Sequence, residues 1–111
     1  MKKLTAFYAS ILMLVCFSAF AEPHLDQAIE HTNAALEHGK AGHASVLVEH
    51  ATPALEHTMA GALIAKGPAK AHTDDAVTDL EEAIKHGKLG HADVATKYVE
   101  SALMHLKEAD K

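Results

Sequence analysis

Cysteine occurs once in these 111 residues, at Cys16, and aromatic side chains make up only 5% of the chain. Cys16 lies within MKKLTAFYASILMLVCFSAFA, whose Lys2-Lys3 start, apolar run and Ala19-Phe20-Ala21 ending have the pattern of a secretory signal peptide cleaved after Ala21. A lipoprotein site would want a small residue where Val15 stands, and an anchor helix would lack the small-residue cleavage site. The domain expected after cleavage, residues 22–111, therefore has no cysteine, which excludes disulfides, thiolate metal sites and a covalent haem motif. Phe7, Phe17 and Phe20 leave with the leader, so Tyr98 is its only large aromatic. Basic charge is also short: eight lysines face fifteen acids, a net −7 with histidine neutral, which excludes the basic surface that nucleic acid requires. No segment alternates like a strand, and no stable membrane association is expected after cleavage. Ninety residues with an Ala, Leu, Val and Ile core hold little surplus of burial over chain entropy, so a substrate-sized pocket, and hence an enzyme, is not expected.

What the chain has instead is histidine, ten in all. His31, His38, His43, His50 and His57 recur every seven residues, with one slip to five across Gly39–Gly42. Sliding the sequence by 48 residues lays 24–57 over 72–105 without a gap, and 14 of the 34 positions are identical. The shared residues include His24/His72, His38/His86, His43/His91 and His57/His105, with the connector HGKAGH matched by HGKLGH; His31 is answered by Asp79 and His50 by Tyr98. Each half reads as two helices, because Leu25, Ala28, Ile29, Thr32, Ala35 and Leu36, then Leu47, Ala51, Ala54, Leu55 and Thr58, recur at helical spacing. Pro23 suits a helix start, Gly39 and Gly87 the position after a helix end, and Ser45 and Asp93 the caps of the following helices. AGALIAKGPAKA, with Gly61, Gly67 and Pro68, reads as the linker between hairpins, and Pro53 is expected to bend its helix or end its regular bonding. The fold expected is all-α: an antiparallel up-down four-helix bundle of two duplicated helical hairpins.

Residues seven apart on a helix differ by about 20°, so His24, His31 and His38 form a row at the border between apolar stripe and solvent, as do His43, His50 and His57. Folding one helix back on the other brings both rows to one edge. The slip to five makes each of His38/His43, His31/His50 and His24/His57 equidistant from the loop, giving rungs about 10.5 Å apart. The second hairpin gives His86/His91, Asp79/Tyr98 and His72/His105, and His72, Asp75, Asp79, Glu82 and His86 share one helix face. Facing neutral imidazoles chelate divalent transition metals, and carboxylates, with Asp79 the candidate ligand in the second hairpin, are expected to complete the shell. At that spacing adjacent rungs are too distant to share an ion, so several separate, partly hydrated sites are expected. Glu30, Glu37, Glu49 and Glu56 read as solvated charges, Met59 and Met104 as packing residues rather than copper(I) ligands, and Tyr98 as closing the bundle edge.

The leader, "EH" at heptad intervals and HGKAGH followed by SVLVEH together resemble the bacterial small metal-binding protein (SmbP) family, over essentially the whole mature chain. The resemblance implies a periplasmic histidine-rich bundle that takes up several divalent ions, usually copper(II), in copper buffering or tolerance. It implies His24, His31, His38, His43, His50, His57, His72, His86, His91 and His105 as ligands; Asp79 and Tyr98 depart from an all-histidine ladder and put the middle site of the second hairpin in question. Nitrogen and carboxylate donors select copper(II), nickel(II) and zinc(II), with copper(II) first in the Irving–Williams order. Protons compete for the same nitrogens, so release is expected between roughly pH 6.5 and 5. The same histidines would also serve a pH-responsive interaction module without a metal role; copper(II) titration at neutral pH separates the two.

Overall fold

The computed structural model describes residues 23–111 as four helices: α1 Pro23–Lys40, α2 Ala44–Ile64, α3 Pro68–Lys88 and α4 Ala92–Ala109. The signal peptide expected over residues 1–21 lies outside the described residues. Each helix packs on its chain neighbours and α1 on α4, which closes the ring; across the diagonals α2 meets α4 while α1 and α3 stay apart. This is the four-helix bundle expected from the periodicity.

The predicted stripes face inward. Leu25, Ala28, Thr32 and Ala35 of α1 and Leu47, Ala51, Ala54 and Thr58 of α2 are buried, and Ile29, Leu36 and Leu55 are half-buried beside them. Leu80 of α3 and Val99, Leu103 and Leu106 of α4 complete the large buried side chains, each worth about 1.5–3 kcal/mol of burial. Alanine fills most of the rest, so the helices approach closely and little room remains for polar atoms. The buried threonines meet that constraint within their own helices: the hydroxyls of Thr32, Thr58 and Thr96 donate to the carbonyls of Ala28, Ala54 and Ala92 at 2.6, 2.7 and 2.6 Å.

Several local expectations are corrected. Gly39 and Gly87 do not follow their helices; both are buried inside the last turn. A Cβ on Gly39 would fall 2.7 Å from Leu47 Cδ1 and inside Thr96, and one on Gly87 would fall 2.5 Å from Val48 Cγ2, so these glycines exist for close helix approach. The positive φ belongs to Gly42 and Gly90, at 82° and 78°. Ser45 and Asp93 are not the caps; His43 and His91 hold the N-cap positions, with no side-chain capping bond. The linker shrinks to Ala65–Gly67, because α2 continues through Gly61, which is buried against Leu25, and α3 starts at Pro68 behind Gly67. Pro53 sits inside an uninterrupted α2; the carbonyl it leaves without a donor is that of Glu49, an exposed residue. Met59 and Met104 are exposed rather than packed.

Both hairpin turns are Schellman motifs. The His43 amide donates to the His38 carbonyl at 2.9 Å and the Gly42 amide to the Gly39 carbonyl at 3.0 Å, while His91 and Gly90 repeat this with His86 and Gly87 at 2.9 and 3.0 Å. That motif sets the residue after the left-handed glycine beside the third residue from the helix end. The five-residue slip in the histidine spacing is the span of this turn, so His38 meets His43 and His86 meets His91 by backbone geometry alone.

Candidate metal centre

The rows expected from the spacing lie along one edge of each hairpin, with the interior rings half-buried and His24, His43 and His91 exposed. Ring centroids in the first hairpin are 6.1 Å apart for His24/His57, 6.4 Å for His31/His50 and 6.2 Å for His38/His43. In the second they are 5.4 Å for His72/His105 and 6.0 Å for His86/His91. All ten histidines therefore meet the partner that the reflection about the loop assigns.

Rings of neighbouring rungs nonetheless lie closer than a step of about 10.5 Å implies. His31 also stacks on His57 at 5.7 Å and His38 on His50 at 5.3 Å, each pair within 5° of parallel and closer than the rung it shares a ring with. Side chains on a helix lean toward its N-terminus, and antiparallel helices lean in opposite senses. His31 leans toward the open end of the hairpin while His57, one rung below, leans toward the turn, so the two meet midway. The first hairpin thus carries a continuous column in the order His24, His57, His31, His50, His38, His43. Interleaving halves the step of about 10.5 Å that one helix alone imposes.

The second column follows the same order with two exchanges: His72, His105, Asp79, Tyr98, His86, His91. Asp79 lies where His31 lies, with its Oδ2 4.0 Å from His105 Nε2, and Tyr98 stacks on His86 at 5.6 Å and 8°. His72 Nδ1 and His105 Nδ1 are 3.1 Å apart. Asp75 Oδ2 lies 4.0 Å from His105 Nδ1, and Glu82 Oε2 lies 3.7 Å from His86 Nε2. Glu30, Glu37, Glu49 and Glu56 are exposed, as solvated charges would be. Sequence reasoning missed Ser101, whose hydroxyl donates to Asp79 Oδ2 at 2.6 Å. Its signal was present as the residue three after Tyr98 on the same edge, aligned with Pro53 in the repeat.

Two imidazole nitrogens bound to one ion at about 2.0–2.1 Å put their ring centroids roughly 4.5–6.3 Å apart, depending on the angle at the metal. Rungs and diagonals both fall at or near that range, so a turn of the rings within it sets neutral nitrogen pairs on a divalent ion. His86 Nδ1 is buried without a hydrogen-bond partner, the kind of polar atom that an ion would satisfy. Among the described residues no group of three or more His, Asp or Glu side chains is arranged to hold a metal ion. An ion on one pair keeps water in the rest of its shell. None of the described helices is long and apolar enough to cross a membrane.

A family model described as small metal-binding protein matches residues 1–109. No curated protein matches the chain.

Proposed function

The chain belongs to the small metal-binding protein family, and from that premise we propose that it takes up and buffers several divalent transition-metal ions in the periplasm through its histidine columns, copper(II) ahead of nickel(II) and zinc(II). The observation that carries this reading is the pairing of all ten imidazoles across antiparallel helices at centroid distances of 5.4–6.4 Å. Two-nitrogen sites with water in the remaining positions bind by intrinsic affinity rather than imposed geometry, which favours copper(II). The periplasmic assignment rests on the leader-like residues 1–21. The acid excess raises cation concentration near the surface in a salt-dependent way. Open coordination and easy proton competition suit a reversible buffer.

Isothermal titration at neutral pH, with one rung replaced at a time, tests the sites, and competition dialysis tests the order of metals. Each rung removed should lower the copper(II) capacity. Displacement of copper(II) by equimolar zinc(II) would overturn the preference. The ring-on-ring columns also favour a second reading, a pH-responsive module, because charging neighbouring rings drives them apart. Acid opening of a chain that takes up no metal at neutral pH would select it.

A further inference from the structure

We infer that the pair His72 and His105, at the open end of the second hairpin, is the site this chain loads first, and that Ser101 and Asp79 set it by holding His105 with Nδ1 free for the ion. This rests on the metal-binding reading above and adds an order of filling and two positioning residues to it.

The pair differs from every other in its nitrogens. Two donors on one ion at about 2.0–2.1 Å stand roughly 2.9–3.4 Å apart, and His72 Nδ1 and His105 Nδ1 are already 3.1 Å apart. Among the described residues no other two histidines share a ring-nitrogen contact of hydrogen-bond geometry; the first column meets ring to ring, so its side chains must turn before they chelate.

Which nitrogen of His105 is free depends on its carboxylate neighbours. Asp79 faces Nε2 and Asp75 faces Nδ1, both at 4.0 Å. That is too long for a direct hydrogen bond and short enough for one bridging water. The distances are equal, so exposure decides. The Asp75 side chain is 64% exposed and its field is screened, whereas the Asp79 side chain is 18% exposed and pinned by the Ser101 hydroxyl at 2.6 Å. Asp79 therefore draws the ring proton to Nε2 and leaves the Nδ1 lone pair facing His72, the arrangement by which carboxylates orient metal-bound histidines. Without metal, that lone pair accepts from His72 Nδ1–H. As an ion enters, His72 gives its Nδ1 proton to solvent and takes one up at Nε2, so both Nδ1 atoms become donors with no net proton change, and the Asp75 charge stands beside the cation.

Nothing equivalent exists in the first hairpin. Under the 48-residue shift Asp79, Ser101 and Asp75 correspond to His31, Pro53 and Gln27, none of which supplies a carboxylate or a hydroxyl. The halves share a fold and carry two classes of site.

Long-range 1H–15N spectra of the 15N-labelled protein, recorded with substoichiometric copper(II), test this. His105 should appear as the Nε2–H tautomer before metal is added, and the ring signals of His72 and His105 should broaden before those of His31, His50 and His57. Asp79→Asn and Ser101→Ala should reduce that tautomer and weaken the first site by about 10–100-fold, sending the first broadening to the other hairpin, with the far-UV circular dichroism of the metal-free protein still that of the folded bundle. Uniform broadening of all pairs, or an unchanged order in Asp79→Asn, overturns the inference and leaves the metal-binding reading standing. Absence of broadening at any histidine with one equivalent of copper(II) overturns both.

Discussion

A metal ion that bridges two helices stabilises the bundle only to the extent that the unfolded chain cannot bind it equally well. This separates the rungs. His24 and His57 are 33 residues apart in sequence, and His38 and His43 only 5. In the unfolded chain the second pair stays close enough to capture an ion with little loss of loop entropy, while the first must close a long loop. With closure scaling as 1.5RT ln n, the difference is about 1.7 kcal/mol in favour of the open-end rung. For a domain of this size that is about 7–14 °C in melting temperature. The measurement uses two variants, one keeping only His24 and His57 and the other only His38 and His43, all remaining histidines replaced by asparagine. Each is melted by calorimetry with and without saturating copper(II), and the folded-state Kd of each is measured so that intrinsic affinity can be subtracted. After that subtraction the His24/His57 chain should gain more. Equal gains, or a larger gain at the turn, would refute the premise that the ion acts as a cross-link between helices.

The two kinds of buried or strained glycine should fail differently. Gly42→Ala meets open space but a φ of 82°, costing roughly 1–2 kcal/mol, and Gly42→Asn should recover part of it; Gly39→Ala meets Leu47 and Thr96, costs about 1–3 kcal/mol through overpacking, and gains nothing from asparagine, as denaturant melts would read. Bound metal requires neutral nitrogen, so binding is present at neutral pH and lost as protons take the ligands; dialysis from pH 7 to 4.5 should empty the protein, and retention of all metal there would point to a different donor set. Glu108 is held below the usual carboxylate range by the hydrogen bond from Lys111 at 2.8 Å and by that ammonium's charge. A depressed carboxyl pKa contributes stability above the unfolded-state value and loses it as pH falls through the folded one. Lys111→Ala should therefore raise the Glu108 pKa in an NMR titration, yet barely alter the acid limb of the stability curve, since the pair is exposed.

Period and symmetry carried the sequence a long way. A 3.6-residue apolar repeat dictates helices, short connectors dictate antiparallel neighbours, and heptad histidines reflected about a five-residue turn dictate which imidazoles meet, because all of these follow from distances along one chain. The turn chemistry was not read there correctly: helix-end signals pointed to Gly39, whereas the left-handed glycine is Gly42, because the helix runs on to Lys40. What distances along one chain do not contain is the approach of one helix surface to another. Only tertiary packing shows that Gly39, Gly61 and Gly87 are spaces filled by Leu47, Leu25 and Val48, that opposite side-chain lean interleaves the rungs into columns, and that Ser101, Asp79 and His105 align across α3 and α4. Those contacts depend on side-chain direction and on residues from different helices arriving at one height, quantities fixed when the bundle closes.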